Sequence, residues 1–401
     1  MSNIVIPDGG NIGSTSDTDA ITISSSGAVT LSSDFVPSTP LSHRNFVYNG
    51  DFKIWQRSNS TSSVNIGNGA FQADRWKATH DVSPEGLEFA RSIDVPTGYG
   101  FANSLKITCD ATDTSILASH AVSLVQEFES QDLVPWCYGT ANAKNLMLSF
   151  WVKTNLTGSH SIGLIKHDNT RYGIPINYTV SSADTWEKKE ILISPTAGST
   201  SFITSAAGAI DNDNGHGASL IWNLASGSNY QSTNNTWATS IDKRVMGTSS
   251  DQNFVGSTSN NFYITGVQLE LGSVATPFEH RSYADELARC QRYFIKYPEN
   301  KHLANGYLYN TTYITCGLNF PVPMRASPTK VEAKTGSTLV RCYRHSDGSS
   351  YFNDLTHIDN IYGVGTLGCA MDDDGQVSGA AGSGCRLNIN SGASVSFLAE
   401  L

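Results

Sequence analysis

Charge is scarce in this 401-residue chain: 15% of its residues are Asp, Glu, Lys or Arg, against roughly 25% in an average globular protein. A basic excess is missing altogether, the formal net charge being -10. That removes nucleic acid as the main partner, because holding phosphates needs a basic face. No run of about 18 apolar residues occurs, so no membrane-inserting helix is expected. The opening MSNIVIPDGGNIGS has neither a basic start nor a long apolar stretch and does not read as a secretory signal. The seven cysteines follow no CxxC spacing, and an odd number closes no disulfide framework. Buried free thiols, in a protein made in a reducing cytoplasm, are the expectation. A nucleophile elbow, a zinc signature and a P-loop are all absent. Glycosidase carboxylate pairs are set by fold rather than spacing, so the sequence neither supplies nor removes them.

Gly, Ser, Thr and Asn fill the place of charge, and with β-branched residues they favour strands and turns. An all-β fold follows, in four parts. Residues 1–40 contain AITISSSGAVTLS, in which Ile21 and Ile23, then Val29 and Leu31, alternate with polar residues around a Ser-Ser-Gly turn. A lone hairpin with one apolar face is marginal in water. It is expected to be covered by another copy or another protein, as an anchor or trimer-forming stem; the alternative is a disordered tail. Residues 45–281 carry short strand-like runs (SLKITC, AVSLVQEF, LMLSFWVK, SIGLIKH, EKKEILIS, ASLIWNLA, NFYITGVQLEL) and read as a large jelly-roll β-sandwich. Residues 296–401 read as a smaller C-terminal β-sandwich.

Between the two sandwiches, 282–295 carries a helical pattern. Tyr283, Leu287, Cys290 and Phe294 recur at steps of four, three and four, behind Ser282 as N-cap. Either this linker helix packs on its neighbouring domain, or three copies meet along the stripe.

The runs NFVYNGDFKIWQR, DRW, SFWVK, DNGHGASLIWNLASG, QLELGSVATPFEHRSYADELARCQRYF, FPVPMRASPT and the terminal FLAEL together resemble a family of tail-fibre and other virion structural proteins of bacterial viruses, common in marine cyanophages. IPDGGNIGSTSDTDAITISSSGAVTLS is similar to their fibre stems. The resemblance covers nearly the whole chain. It implies a jelly roll of the carbohydrate-binding-module type and a homotrimer docked to other virion proteins through its N-terminal region. It also implies a place on the particle surface after assembly in the host cytoplasm, and non-enzymatic attachment to host cell-surface polysaccharide. A capsid-bound fibre, decoration or connector protein without a receptor role is the alternative. The resemblance also places a structural calcium where the first and last strands of such jelly rolls meet. GDF and QLE fall there, which nominates Asp51, Asp74 and Glu270; no other cofactor is expected.

Glycan contacts are sought in loops. DGSSYFND in the C-terminal domain offers Tyr351, Phe352 and Asn353, an aromatic and amide set for ring stacking and hydrogen bonding; the alternative is that the two rings cap the core. DNDNGHG offers Asp213, Asn214 and His216, with a tight turn as the alternative. Phe52, Trp55 and Trp76 are expected in the core. MDDDG, Met371 to Gly375, reads as a solvated turn, with calcium as the alternative. With an anchor at the N-terminus, the C-terminal domain is the expected receptor-binding tip.

Overall fold

The computed structural model describes residues 11–13, 21–25, 29–31, 42–57, 64–65, 67–80, 87–239, 247–346, 349–362 and 364–401. The chain forms two compact units, Met1–Arg44 and Asn45–Leu401. In the first, Ile21–Ile23 pairs antiparallel with Val29–Leu31, setting Ile21 opposite Leu31 and Ile23 opposite Val29. This is the expected hairpin. Asn11–Ile12 adds a third strand, too short to leave an alternating pattern. Val29 is 62% exposed. The rest of 1–40 lies outside the described residues.

The second unit holds two cores. The larger lies between two six-stranded antiparallel sheets, the expected jelly-roll sandwich. One sheet runs Ala238–Thr239, Tyr172–Val180, Gly158–Lys166, His216–Ser226, Ala121–Glu129, Lys77–His80. The other runs Glu187–Ile193, Leu146–Thr154, Asn261–Leu271, Ser104–Cys109, Leu87–Ser92, Val64–Asn65. Alternation sends one side of each strand inward. Phe150 of the second sheet meets Trp222 and Tyr178 of the first edge-on, with centroids 5.4 and 5.2 Å apart. Phe52, Trp55 and Trp76 join this core as expected.

NGDF is a structural knot. Asn49 accepts from Ile54 N through Oδ1 (2.9 Å) and donates through Nδ2 to the carbonyls of Ile54 and Asp74. Gly50 lies so close to the Asn261–Leu271 strand that a Cβ would fall 2.2 Å from the Val267 carbonyl oxygen.

The smaller core lies between a three-stranded sheet (Phe294–Tyr297, Ala393–Leu398, Thr329–Lys334) and a seven-stranded one. The latter runs Ser349–Leu355, Val340–Ser346, Gly384–Ile389, His302–Leu308, Tyr313–Asn319, Gly368–Asp374, Asn360–Tyr362. Its two edge strands are joined by only Thr356–Asp359. That stretch spans at most about 18 Å, whereas seven flat strands would set their edges roughly 29 Å apart. The sheet therefore curls until its edges approach. All seven cysteines are free, six of them buried and Cys137 half-buried, as the spacing predicts.

The linker helix is shorter than expected. It covers Tyr283–Gln291, with Ser282 Oγ accepting from Asp285 N as N-cap. The stripe is split: Tyr283 is 61% exposed, and Phe294 opens a strand paired with Ala393–Leu398. Within the helix the stripe residue Cys290 is buried together with Glu286, which lies outside the stripe, and Glu286 Oε1 accepts from Asn49 N. Sequence periodicity counted apolar residues and passed over a buried carboxylate.

Candidate functional site

Several motifs carrying the resemblance converge on the junction of the two cores. Arg75, 1% exposed, donates to Glu400 and to the Glu127 carbonyl, and its guanidinium lies over the Tyr293 ring at 3.5 Å. Arg57 bridges Glu400 (2.6 Å) and Asp74 (3.3 Å) and covers Phe294 at 3.8 Å. Arg292 makes a two-pronged pair with the buried Glu129 at 2.6 Å, and Tyr293 Oη donates to the same carboxylate at 2.5 Å. Burial pushes the Glu129 carboxyl up, but the Arg292 and Tyr293 donors outweigh it and hold the group below its ordinary value. Burial likewise pulls the Arg75 guanidinium down, and Glu400, Tyr293, Glu127 and Cys290 together outweigh it and hold the group above its ordinary value. These charges are structural: they lock WQR and DRW of the first domain to CQRYF and FLAEL of the second.

The three carboxylates nominated for calcium are not brought together. Asp51 pairs with Lys53 at 2.7 Å. Asp74 accepts from Gln56 N and Nε2 (2.6 and 3.0 Å) and pairs with Arg57. Glu270 accepts from Thr276 N, Thr276 Oγ1 and Gln268 Nε2 at 2.7 to 2.9 Å. Protein donors hold the oxygens a cation would need. Among the described residues, one group of three metal-ligating side chains converges, His357, Asp359 and Asp373.

The DNDNGHG residues separate. Asp213 Oδ1 accepts from Gly215 N within its own turn (2.8 Å). Asn214 exchanges hydrogen bonds with Arg325 of the C-terminal domain and so serves the junction. His216 alone reaches a surface site. It stacks on His167 with centroids 3.7 Å apart, and both Nε2 atoms contact Ser219 Oγ. Burial holds His216 below the ordinary imidazole range, against the pull of Glu127. With Lys77, Glu127, Asn68 and Arg171 the two histidines line a cleft of about 420 Å³ on the outer face of the first sheet. On the same face Val125, Ile165 and Ile221 form a small apolar cluster, and Asp251 gathers Ser161, Asn223 and Thr248.

Tyr351, Phe352 and Asn353 lie on the strand Ser349–Leu355 rather than in a loop. Phe352 is 53% exposed, so it does not cap the core, and Asn353 Oδ1 accepts from Ser378 N at 3.4 Å. The register puts Phe352 opposite Tyr343, Tyr343 opposite Arg386 and Arg386 opposite Asn305. Directly opposed residues share a face, so these four form a row across four strands. Arg341 covers Phe352 at 4.4 Å while holding Asp354 at 2.6 Å, and Arg386 covers Tyr343 at 4.9 Å. Exposed Tyr307 stands two residues beyond Asn305, and a pocket of about 390 Å³ lined by Gly306 and Gly384 opens beside the row. The row offers ring surface and guanidinium donors together. Sequence reasoning found only its Phe352 end; the missed signal was VRCYR, where Arg341 and Tyr343 alternate with the buried Val340, Cys342 and Arg344.

No family model matches the chain, and no curated protein matches it. Solved structures are similar to it at low score. The enzymatically active domain of tailspike protein 4 of bacteriophage CBA120 is 13% identical over 57% of this chain and 21% of its own, with a TM-score of 0.27. The family 11 carbohydrate-binding module of a Clostridium thermocellum cellulosomal cellulase is 10% identical over 54% of this chain and 98% of its own, at 0.26. A xylan-binding domain from Paenibacillus barcinonensis is 10% identical over 54% and 99%, at 0.23. The match thus spans about a fifth of that tailspike domain's length, and the sandwich described above stands on this chain's own strands and core.

Proposed function

We propose that this chain is a non-enzymatic glycan-binding component of a bacterial-virus particle, homotrimeric, docked by its N-terminal stem and contacting host-surface polysaccharide through its C-terminal domain. The observation that carries the glycan reading is the cross-strand row Asn305–Arg386–Tyr343–Phe352. Sugar recognition needs a flat apolar surface for pyranose faces and in-plane donors for hydroxyls or carboxylates. Exposed aromatics on a strand are not explained by the core, which lies on the other side of the sheet. The virion setting rests on the sequence resemblance. One shallow row binds weakly, and three linked copies raise the avidity.

The test is binding of purified chain to host polysaccharide. Phe352→Ala and Arg386→Ala should each weaken it by about 10-fold, corresponding to about 1.4 kcal/mol. The His216–His167 cleft supports a second reading, in which the outer face of the jelly roll holds the sugar. If Lys77→Ala or His216→Ala removes binding while Phe352→Ala leaves it intact, the cleft is the site and the row is not. Release of new reducing ends from the polysaccharide would overturn the non-enzymatic part. Unchanged adsorption of particles lacking the protein would overturn the attachment role.

A further inference from the structure

We propose that His357, Asp359 and Asp373 bind a first-row divalent transition metal ion, Zn2+ foremost, which staples the seam of the curled C-terminal sheet. His357 and Asp359 lie on the short connection that joins the two edge strands, and Asp373 lies on the strand Gly368–Asp374 next to one edge. One donor atom from each falls within 4.8 Å of the others.

The second observation is Asp373 itself. It is 1% exposed, and its Oδ1 is buried with no hydrogen-bond partner, while Oδ2 accepts from Gln376 Nε2. A buried acceptor without a donor is costly and rare in native proteins.

The imidazole is set for ligation. Because Asp373 only accepts, Gln376 must turn its Nε2 to it and its Oε1 toward Thr356. The Thr356 hydroxyl, 2.8 Å from that oxygen, donates there and accepts from His357 Nδ1, also at 2.8 Å. Nε2 faces Asp359 Oδ1 at 2.5 Å with a proton between them, and a metal ion binding there displaces that proton and takes the lone pair. A histidine whose second nitrogen is held by a neighbour is the usual arrangement around a metal.

One imidazole and two carboxylates suit zinc and its neighbours, with water completing the shell. Calcium takes about six to eight oxygens and has too few here. Ligands of one tetrahedral zinc lie roughly 3.3 Å apart, so the His357–Asp359 contact opens slightly on binding. The exposure of both side chains permits this. Asp372, the adjacent carboxylate, accepts from Tyr313 Oη through Oδ2 at 2.6 Å, and its Oδ1 is also buried without a partner, but it is not among the three converging ligands.

The test uses the full chain, stripped with a chelator and titrated calorimetrically with ZnCl2, CaCl2 or MgCl2. Saturable uptake of about one Zn2+ is expected, weakened by on the order of 10- to 100-fold in His357→Ala and in Asp359→Asn. Both side chains are exposed, so these variants keep the fold; Asp373→Asn should act in the same direction. Zn2+ affinity unchanged by His357→Ala, no saturable Zn2+ uptake, or Ca2+ binding tighter than Zn2+ would each overturn the proposal.

Discussion

Replacing Glu400 by Ala should destabilise a domain to which that residue does not belong. Glu400 follows the last strand of the C-terminal domain, yet its two oxygens hold Arg57 and Arg75 of the jelly roll. The side chain of Arg75 is 1% exposed and that of Glu400 9%. Loss of one partner leaves a guanidinium buried without its countercharge, which costs about 3–5 kcal/mol, whereas an exposed pair contributes about 0–1 kcal/mol. The two figures are far enough apart to decide the matter. All seven tryptophans lie between residues 55 and 237, so tryptophan fluorescence during urea unfolding reports the jelly roll alone. The tryptophan transition should move to lower urea, by the equivalent of about 3–5 kcal/mol. Combining Arg75→Met with Glu400→Leu removes both charges and should restore most of the loss. A change below about 1 kcal/mol would refute the buried-pair reasoning, and so would C-terminal unfolding that leaves the tryptophan transition in place.

Glu129 provides a pH test. Its carboxyl is held below its ordinary value of 4.5, so the stability it contributes is present above that value and is lost as pH falls through the lower folded-state value. Acid unfolding followed by fluorescence should therefore depend less on pH below about 4.5 in Glu129→Gln than in the parent. Gly50→Ala places a Cβ against the Val267 carbonyl and should cost upwards of about 2 kcal/mol in denaturant unfolding; a loss under half of that would show that the strand can yield. Phe150→Ala empties the centre of the sandwich and should cost about 3–5 kcal/mol by the same assay.

The fold was legible where alternation is dense. LMLSFWVK, largely apolar on both faces, and NFYITGVQLEL became neighbouring strands of one sheet. Alternation also located the stem hairpin, though not Asn11–Ile12, which is two residues long. What escaped were pairings between distant segments. Nothing in DRW announces that its arginine meets a glutamate 325 residues away. Nothing in MDDDG distinguishes a solvated turn from a strand with Asp372 and Asp373 buried. The site was legible by half for the same reason. Phe352 stood out as an aromatic near Gly and Ser, but its partners Tyr343, Arg386 and Asn305 come from three other strands, and only register aligns them.

The Arg75–Glu400 pair also puts a clock on folding. The two residues are 325 apart, and synthesis proceeds at roughly 5–20 residues per second, so Arg75 leaves the ribosome about 16–65 s before its partner does. Over that interval the jelly roll can assemble its strands but must keep Arg75 hydrated or bury it uncompensated. Final closure of the first domain thus waits on the second. A chain broken off within the C-terminal domain carries an open, polar flaw in an otherwise finished sandwich, which marks it as incomplete at the level of a single residue.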